Sequence, residues 1–128
     1  MRKWADAYWD AVARQDAETL RTYFASKAVV RWHCTNEQFT AEGFIRANCE
    51  YPGQWHGQVE RTETLPNGLC TVTHVWSDQL SCHAVSFFCF DAAGRIVSLD
   101  EYWGDDGAAP MWRQTLEMSR PIQLPKNA

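Results

Sequence analysis

Four β-forming segments follow one another in the second half of the chain, and they constrain the fold more than any other feature. They occupy residues 55–64, 69–77, 81–91 and 95–103 and are rich in Val, Thr, Phe, Trp and Tyr. Three short sequences with turn chemistry separate them: LPNGL, SDQLS and DAAGR. Strands joined by such short connections pair antiparallel. We therefore expect an antiparallel meander over this half of the chain.

The first half of the chain has the periodicity of amphipathic helices. One face of the first predicted helix carries the residues Trp4, Tyr8, Ala11 and Val12. Asp16 is a candidate N-cap for a second helix, and Thr40 is one for a third helix that ends at Pro52-Gly53. A short strand over residues 29–34 is expected between them. The chain thus begins with helices and continues as strands.

Helices followed by a run of strands predict an α+β fold, with the helices packed on one face of an antiparallel sheet. A strongly twisted sheet curls, so the helices would close one end of a cone and leave a hollow inside. We expect one domain over residues 1–128, because this length suits a single hydrophobic core. Residues 118–128 are polar with two prolines, and we expect them to extend over the surface.

Composition and charge restrict the class of function. The net charge of −4 argues against a nucleic-acid partner, and no apolar run approaches the length of a membrane span. The N-terminal sequence MRKWADAYWDAV does not have the pattern of a secretory signal. Five cysteines with no CxxC pair and no zinc-type spacing predict reduced thiols, and hence a cytoplasmic protein.

The last predicted strand, GRIVSLDEYWGDD, carries two adjacent acids. Alternation of side chains along a strand places Asp100 and Glu101 on opposite faces. Glu101 shares its face with Val97, Leu99 and Trp103, but alternation alone does not decide which face is inside. The seven Trp, six Phe and four Tyr of the chain suit either a core or a large apolar pocket.

The order of elements carries a resemblance to a known superfamily. A helix, a second helix ending in YFASKAVVRW, a strand, a helix and a meander ending in GRIVSLDEYWGDD resemble the nuclear transport factor 2-like (NTF2-like) superfamily. That superfamily includes ketosteroid isomerase, limonene epoxide hydrolase, scytalone dehydratase and the SnoaL-like polyketide cyclases. The resemblance extends to about Trp112, and the runs WHCTNEQFTAEGFIRANCEYPGQW and EYWGDDGAAPMWR are similar to a bacterial SnoaL-like subgroup. It implies a cystatin-like curved sheet wrapped around the N-terminal helices, with an interior pocket.

Ketosteroid isomerase offers the first comparison of site positions. The resemblance places Tyr8 at the position of the tyrosine that hydrogen-bonds the developing enolate. Trp32 falls at the position of the general-base aspartate, and Ser86 falls at the position of the protonated aspartic acid. Because Trp32 is unable to accept a proton, steroid isomerisation is disfavoured.

Limonene epoxide hydrolase offers the second comparison. The resemblance places Glu101 at the position of the acidic aspartate, His74 at that of the arginine and Trp76 at that of the second aspartate. Glu101 keeps a carboxyl group at the first position, but Trp76 is unable to activate water at the last one. Epoxide hydrolysis is therefore not implied. Both comparisons imply that Glu101 faces the pocket, together with Val97, Leu99, Trp103, Ala84, Ser86, Phe88, Phe90, Val72, His74 and Trp76.

These positions predict a small-molecule site. The candidate catalytic residues are Glu101, His74 and Tyr8. They offer a desolvated carboxylic acid, an imidazole and a neutral hydroxyl donor, a set able to move a proton next to a carbonyl group of a substrate. The candidate substrate-binding residues are Trp32, Asn36, Asn48, Tyr51, Trp55, Trp76, Ser86, Phe88 and Trp103. The function expected is a cofactor-independent isomerase, cyclase or dehydratase acting on an apolar carbonyl compound.

Two alternatives stay open at this point. The first is a non-catalytic protein that binds an apolar metabolite, and the second is a dimeric interaction module whose hollow is filled by Trp32, Trp76 and Trp103. No metal site is expected, since His33-Cys34 and Cys82-His83 are adjacent pairs whose side chains face opposite ways on a strand. The outer stripe of His83, Val85, Phe87 and Cys89 predicts a homodimer that pairs through its sheets.

Overall fold

The computed structural model describes residues 1–122 and consists of helices packed against one sheet. The helices are α1 (Arg2–Arg14), α2 (Ala17–Arg21), α3 (Ala41–Cys49) and α4 (Met111–Gln114). The strands are β1 (Phe24–Trp32), β2 (Glu37–Thr40), β3 (His56–Leu65), β4 (Gly68–Trp76), β5 (Ser81–Phe90) and β6 (Ile96–Asp105). The predicted tail over 118–128 continues beyond the described residues, and its first part, 118–122, is exposed and neither helical nor extended in a sheet.

The six strands form one curved sheet in the order β2-β1-β6-β5-β4-β3. The meander β3–β6 pairs antiparallel throughout and confirms the prediction. β1 pairs parallel with β6, and β2 pairs antiparallel with β1. The α+β class is therefore confirmed, with a mixed sheet in place of a wholly antiparallel one.

The helix starts follow from capping side chains. The backbone N–H of Thr19 donates to Asp16 Oδ1 at 3.2 Å, and the backbone N–H of Gly43 donates to Thr40 Oγ1 at 3.1 Å. Each cap satisfies one of the N–H groups that lack a partner in the first turn of a helix. Both predicted N-caps are confirmed. Within residues 1–122, no helix is long and apolar enough to cross a membrane.

The helices cover the concave face of the sheet and form the core with it. Tyr8, Trp9 and Leu20 from the first two helices are buried, as are Phe44 and Ile45 from α3. They meet buried residues of the strands, including Val30, Val59, Leu69, Ala84, Phe88, Ile96 and Leu99. The indole N–H of Trp9 donates to Thr71 Oγ1 at 3.2 Å and joins α1 to β4. We call this covered face the inner face of the sheet.

A bulge near the start of β6 changes the expected alternation. Ile96 pairs with Phe90 and Ser98 pairs with Cys89, so the register shifts by one residue between them. Ile96 and Leu99 are consequently both buried, although they are three residues apart. Val97 lies on the exposed side, and its expected place on the pocket face is wrong.

Candidate functional site

Glu101 is a buried carboxylate at the centre of the inner face. Its side chain is 1% exposed, and the strand register places Trp32 of β1 and Ser86 of β5 on either side of it. Ser86 Oγ donates to Oε2 at 2.6 Å, while the indole N–H groups of Trp32 and Trp103 donate to Oε1 at 3.1 Å and 3.4 Å. The expectation that Glu101 faces inward is confirmed, and its carboxyl group anchors two tryptophans.

The protonation of Glu101 is set by opposing effects. Burial raises the pKa of the carboxyl group, because a charge is poorly solvated in this apolar surrounding. The hydrogen bonds from Ser86, Trp32 and Trp103 favour the carboxylate and oppose that rise. Desolvation is the larger effect, so the pKa of Glu101 lies above its ordinary value.

This shift predicts a pH-dependent stability difference between the wild type and Glu101→Gln. With a pKa raised above its ordinary value of 4.5, the folded protein holds the Glu101 proton more tightly than the unfolded chain. The free energy of unfolding therefore falls as pH rises from the pKa of Glu101 in the unfolded chain through its higher pKa in the folded protein. The Gln variant has no such proton, so its stability relative to wild type is expected to increase as pH is raised over a range of about pH 4 to about pH 8. Denaturant unfolding at each pH measures this trend.

The matched control removes an exposed carboxylate, in Glu18→Gln. We expect the stability of Glu101→Gln relative to wild type to change with pH more than that of Glu18→Gln. The proposed effect of burial would be contradicted if the relative stability of Glu101→Gln stayed constant across this pH range or decreased as pH rises.

An open cavity of about 250 Å³ lies beside this carboxylate. Trp32 and Trp103 form part of its wall, while Glu101 itself is not among the lining residues. The two indoles thus separate the cavity from the carboxylate to which they donate. Since the cavity is open, Trp32 and Trp103 line it and do not fill it.

Five of the nine predicted substrate-binding residues line the cavity: Trp32, Asn48, Tyr51, Trp55 and Trp103. Two others, Ser86 and Phe88, are buried behind it, Ser86 against Glu101 and Phe88 against Trp4 and Tyr8. Asn36 lies in an exposed left-handed turn position and does not line the cavity. Their roles in binding remain predictions, and only their positions are given by the structure.

His74 and Trp76 do not lie where they were expected. His74 pairs with His83 and Thr73 pairs with Ala84, so the inner face of β4 carries Thr71, Thr73 and Val75. His74 and Trp76 stack on one another on the opposite face, with ring centroids 4.5 Å apart. The expected place of His74 and Trp76 on the pocket face is therefore wrong: His74 does not lie beside Glu101, and Trp76 does not fill the hollow. The expected positions are one residue away from inner-face positions, since Thr73 and not His74 pairs with the buried Ala84.

Tyr8 reaches the inner face from α1 as predicted. It is fully buried, stacks on Trp4 at 5.3 Å between ring centroids and contacts Phe88 edge-on at 5.1 Å. Its hydroxyl has no hydrogen-bond partner among the described residues. Burial, and then the nearby negative charge of Glu101, raise the pKa of Tyr8, so its hydroxyl stays neutral. A buried neutral donor is therefore left unused by the fold.

The cavity has lining residues that the sequence did not single out. They are Val12, Ala13, Cys34, Thr35, Ala47, Val75, Leu80, Cys82 and Asp105. Several lie where β1, β4 and β6 end, which is the same end of the sheet. β6 continues to Asp105, two residues beyond the predicted end of the last strand at residue 103. The parallel pairing of β1 with β6 was the missing information, because it brings Cys34 and Asp105 to one end.

Side-chain amides hold the part of the cavity wall that contains Asn48, Tyr51 and Trp55. Asn48 Nδ2 donates to the carbonyl oxygen of Val12 at 3.0 Å and ties α3 to α1. Gln15 Nε2 donates to the carbonyl oxygens of Asn48 and Tyr51 at 2.9 Å and 2.6 Å. Tyr51 and Trp55 meet edge to face at 5.2 Å between ring centroids. This part of the wall is therefore built from side chains whose positions are fixed by packing and hydrogen bonds.

Comparison with known proteins identifies the fold. No family model matches the chain, and no curated protein matches it by sequence. A solved structure of a candidate ketosteroid isomerase from Kribbella flavida is 21% identical, covering 98% of this chain and 93% of its own, with a TM-score of 0.78. An NTF2-like protein of unknown function from Burkholderia xenovorans is also 21% identical, covering 95% and 94%, with a TM-score of 0.76.

A third solved structure, a candidate SnoaL-like polyketide cyclase from Shewanella denitrificans, is 14% identical. The match covers 91% of this chain and 93% of that one, with a TM-score of 0.66. At these identities the similarity establishes architecture. The chain has the fold of NTF2-like and SnoaL-like proteins, as the element order of the sequence predicted.

Proposed function

We propose that this protein binds a compact, largely apolar molecule in the cavity beside Glu101. The observation that carries the proposal is the cavity of about 250 Å³, with a wall of two indoles that are anchored to a buried carboxylate. Aromatic walls with a few polar groups are typical of small-molecule sites. Tyr51, Trp55 and Asn48 also line the cavity, and Asp105 adds a carboxyl group to its wall.

Proton transfer on a carbonyl compound is the second candidate function. It is favoured by the raised pKa of Glu101 and by the unpartnered hydroxyl of Tyr8. Solved neighbours described as ketosteroid isomerase and SnoaL-like polyketide cyclase support a reaction of the isomerase, cyclase or dehydratase kind. In this case Trp32 or Trp103 would have to move, because Glu101 does not line the cavity.

Binding in the cavity is tested by filling it. The probe is 2-tetralone, an apolar cyclic ketone, titrated against the tryptophan fluorescence of the protein. Ala47→Trp places a large side chain in the lining and is expected to weaken binding at least about tenfold, since it occupies the volume that the ligand needs. Ala7→Trp adds the same side chain on the exposed side of α1 and is the matched control. Equal affinity in the two variants would contradict the proposal.

We further propose that the protein forms a homodimer through the outer face of its sheet. The side chains of Phe87 and Tyr102 are 39% and 44% exposed there, and their rings lie 6.3 Å apart. Burying such aromatic surface against a second copy is favourable. We expect a dimer by light scattering and a monomer for Phe87→Glu. A monomeric wild type at micromolar concentration would contradict this prediction.

A further inference from the structure

A cluster of ionisable side chains lies on the outer face of the sheet, on the opposite side from the cavity. It consists of Glu60, His74, His83 and Asp106, which we call the outer-face cluster. His74 and His83 are paired across β4 and β5, and their rings stack with centroids 4.8 Å apart. Glu60 occupies a bulge in β3, between the paired residues Val59 and Arg61. Bulges of this kind redirect a side chain.

Each nitrogen of His83 faces a carboxylate. Nδ1 lies 2.6 Å from Asp106 Oδ1, and Nε2 lies 3.2 Å from Glu60 Oε1. A neutral imidazole has one N–H and one lone pair, so it is able to satisfy only one of these acceptors. The second contact requires a second proton or a cation between Nε2 and Glu60. The arrangement has the form of a carboxylate that orients a metal-binding histidine.

We propose that Glu60, His74 and His83 bind one divalent transition-metal ion, with Zn²⁺ as the best match. One ligand atom from each residue lies within 4.8 Å of the other two. Two imidazoles and one carboxylate are a donor set that suits Zn²⁺ and leaves a fourth position for water. Asp106 is a positioning residue here, since it accepts the Nδ1–H of His83 and leaves Nε2 for the metal.

Small side-chain movements would complete the site. Zn²⁺ takes nitrogen and oxygen ligands at about 2.0–2.2 Å, so the three atoms must draw closer and the two rings must turn out of their stack. The side chains of His74, His83 and Glu60 are 30%, 39% and 39% exposed, which leaves them room to rotate. The bound ion would connect β3, β4 and β5. Because the cluster and the cavity lie on opposite faces of the sheet, this proposal does not depend on ligand binding in the cavity.

The test is titration of the chelator-treated full chain with Co²⁺, followed by Zn²⁺ in calorimetry. Co²⁺ is the first probe because the five cysteines of the chain are competing soft ligands, and thiolate coordination gives a strong near-ultraviolet charge-transfer band. We expect one equivalent of each metal to bind, without that band, and thermal unfolding to shift upward with Zn²⁺.

Variants assign the ligands. Glu60→Gln and His83→Gln are each expected to weaken binding more than about tenfold, and Asp106→Asn by about 10–100-fold through loss of orientation. His33→Gln is the matched control, since His33 also pairs with a carboxylate, at 2.8 Å from Asp100, but lies outside the cluster. The proposal would be overturned if the metal did not bind at micromolar concentration, if a thiolate charge-transfer band appeared, or if Glu60→Gln and His33→Gln bound the metal with equal affinity.

Discussion

Gly68→Ala is expected to destabilise the protein by about 3 kcal/mol or more, and to lower its yield as folded material. A Cβ atom at Gly68 would lie 1.8 Å from the carbonyl oxygen of Phe88 and 2.9 Å from its carbonyl carbon. These atoms belong to the backbone of the paired strand, so they are unable to move aside as a flexible side chain would. Relief of the clash requires β4 and β5 to separate at the buried Phe88.

The matched control is Gly104→Ala, also within the sheet. A Cβ atom at Gly104 would have no neighbour within 4 Å among the described residues, so we expect a change of less than about 0.5 kcal/mol. Urea denaturation of the two variants and wild type at one pH measures both values. Similar midpoints for Gly68→Ala and Gly104→Ala would show that the close approach of Gly68 to Phe88 is relieved at little cost.

Gly68 also shows what a turn motif conveys and what it does not. The sequence LPNGL predicted a turn between two strands, and β3 and β4 do meet there. Gly68 does not adopt a positive φ there, since within residues 1–122 the glycines with positive φ are Gly53 and Gly94. Gly68 is required by the proximity of a strand that pairs with it from twenty residues further along the chain. Local sequence does not contain that contact.

Elements whose causes are local were predicted well. The caps at Asp16 and Thr40 and the four strands of the meander follow from side chains within a few residues of each boundary. β1 begins at Phe24, five residues before the predicted start, because its register shifts between Phe24 and Val29 and hides the alternation. β2 was not predicted, since four residues carry too little periodicity to be recognised.

The candidate site was likewise predicted only in part. The resemblance to NTF2-like proteins selected the correct face for Glu101, which alternation alone had left open. The same resemblance placed His74 on the pocket face of β4, but His74 lies on the outer face, one residue from the inward-facing Thr73. The outer-face cluster was missed because Glu60, His74 and His83 come from three strands, and their meeting depends on a bulge and on strand pairing. The sequence therefore predicted functional side chains more reliably when they lie on one strand than when they come together from several strands.

Glu101→Leu is expected to weaken 2-tetralone binding by at least about tenfold and to destabilise the fold by about 2 kcal/mol. Leucine has a similar size but accepts no hydrogen bond. The indole N–H groups of Trp32 and Trp103 and the hydroxyl of Ser86 would all lose their acceptor. Both indoles are half-buried and line the cavity, so their rearrangement would change the shape of the wall that meets the ligand.

Glu101→Gln is the control that separates anchoring from acid–base chemistry. The amide oxygen of Gln replaces Oε1 and accepts both indole N–H groups, while its NH₂ donates to Ser86 Oγ. The geometry of the wall is thus kept, and binding of 2-tetralone is expected to stay within about twofold of wild type. What the Gln variant loses is a carboxyl group whose pKa is raised by burial, and with it the ability to exchange a proton.

The decisive measurement combines affinity with deuterium exchange at the α-carbon of 2-tetralone, followed by proton NMR in D₂O. If the protein moves protons, wild type is expected to accelerate exchange over buffer and Glu101→Gln to lose at least about a hundredfold of that rate with unchanged affinity. If wild type binds without accelerating exchange, and only Glu101→Leu loses affinity, the carboxylate acts as the anchor of a binding pocket. Wild-type affinity in Glu101→Leu would contradict the anchoring role, and an exchange rate in Glu101→Gln equal to that of wild type would contradict the acid–base role.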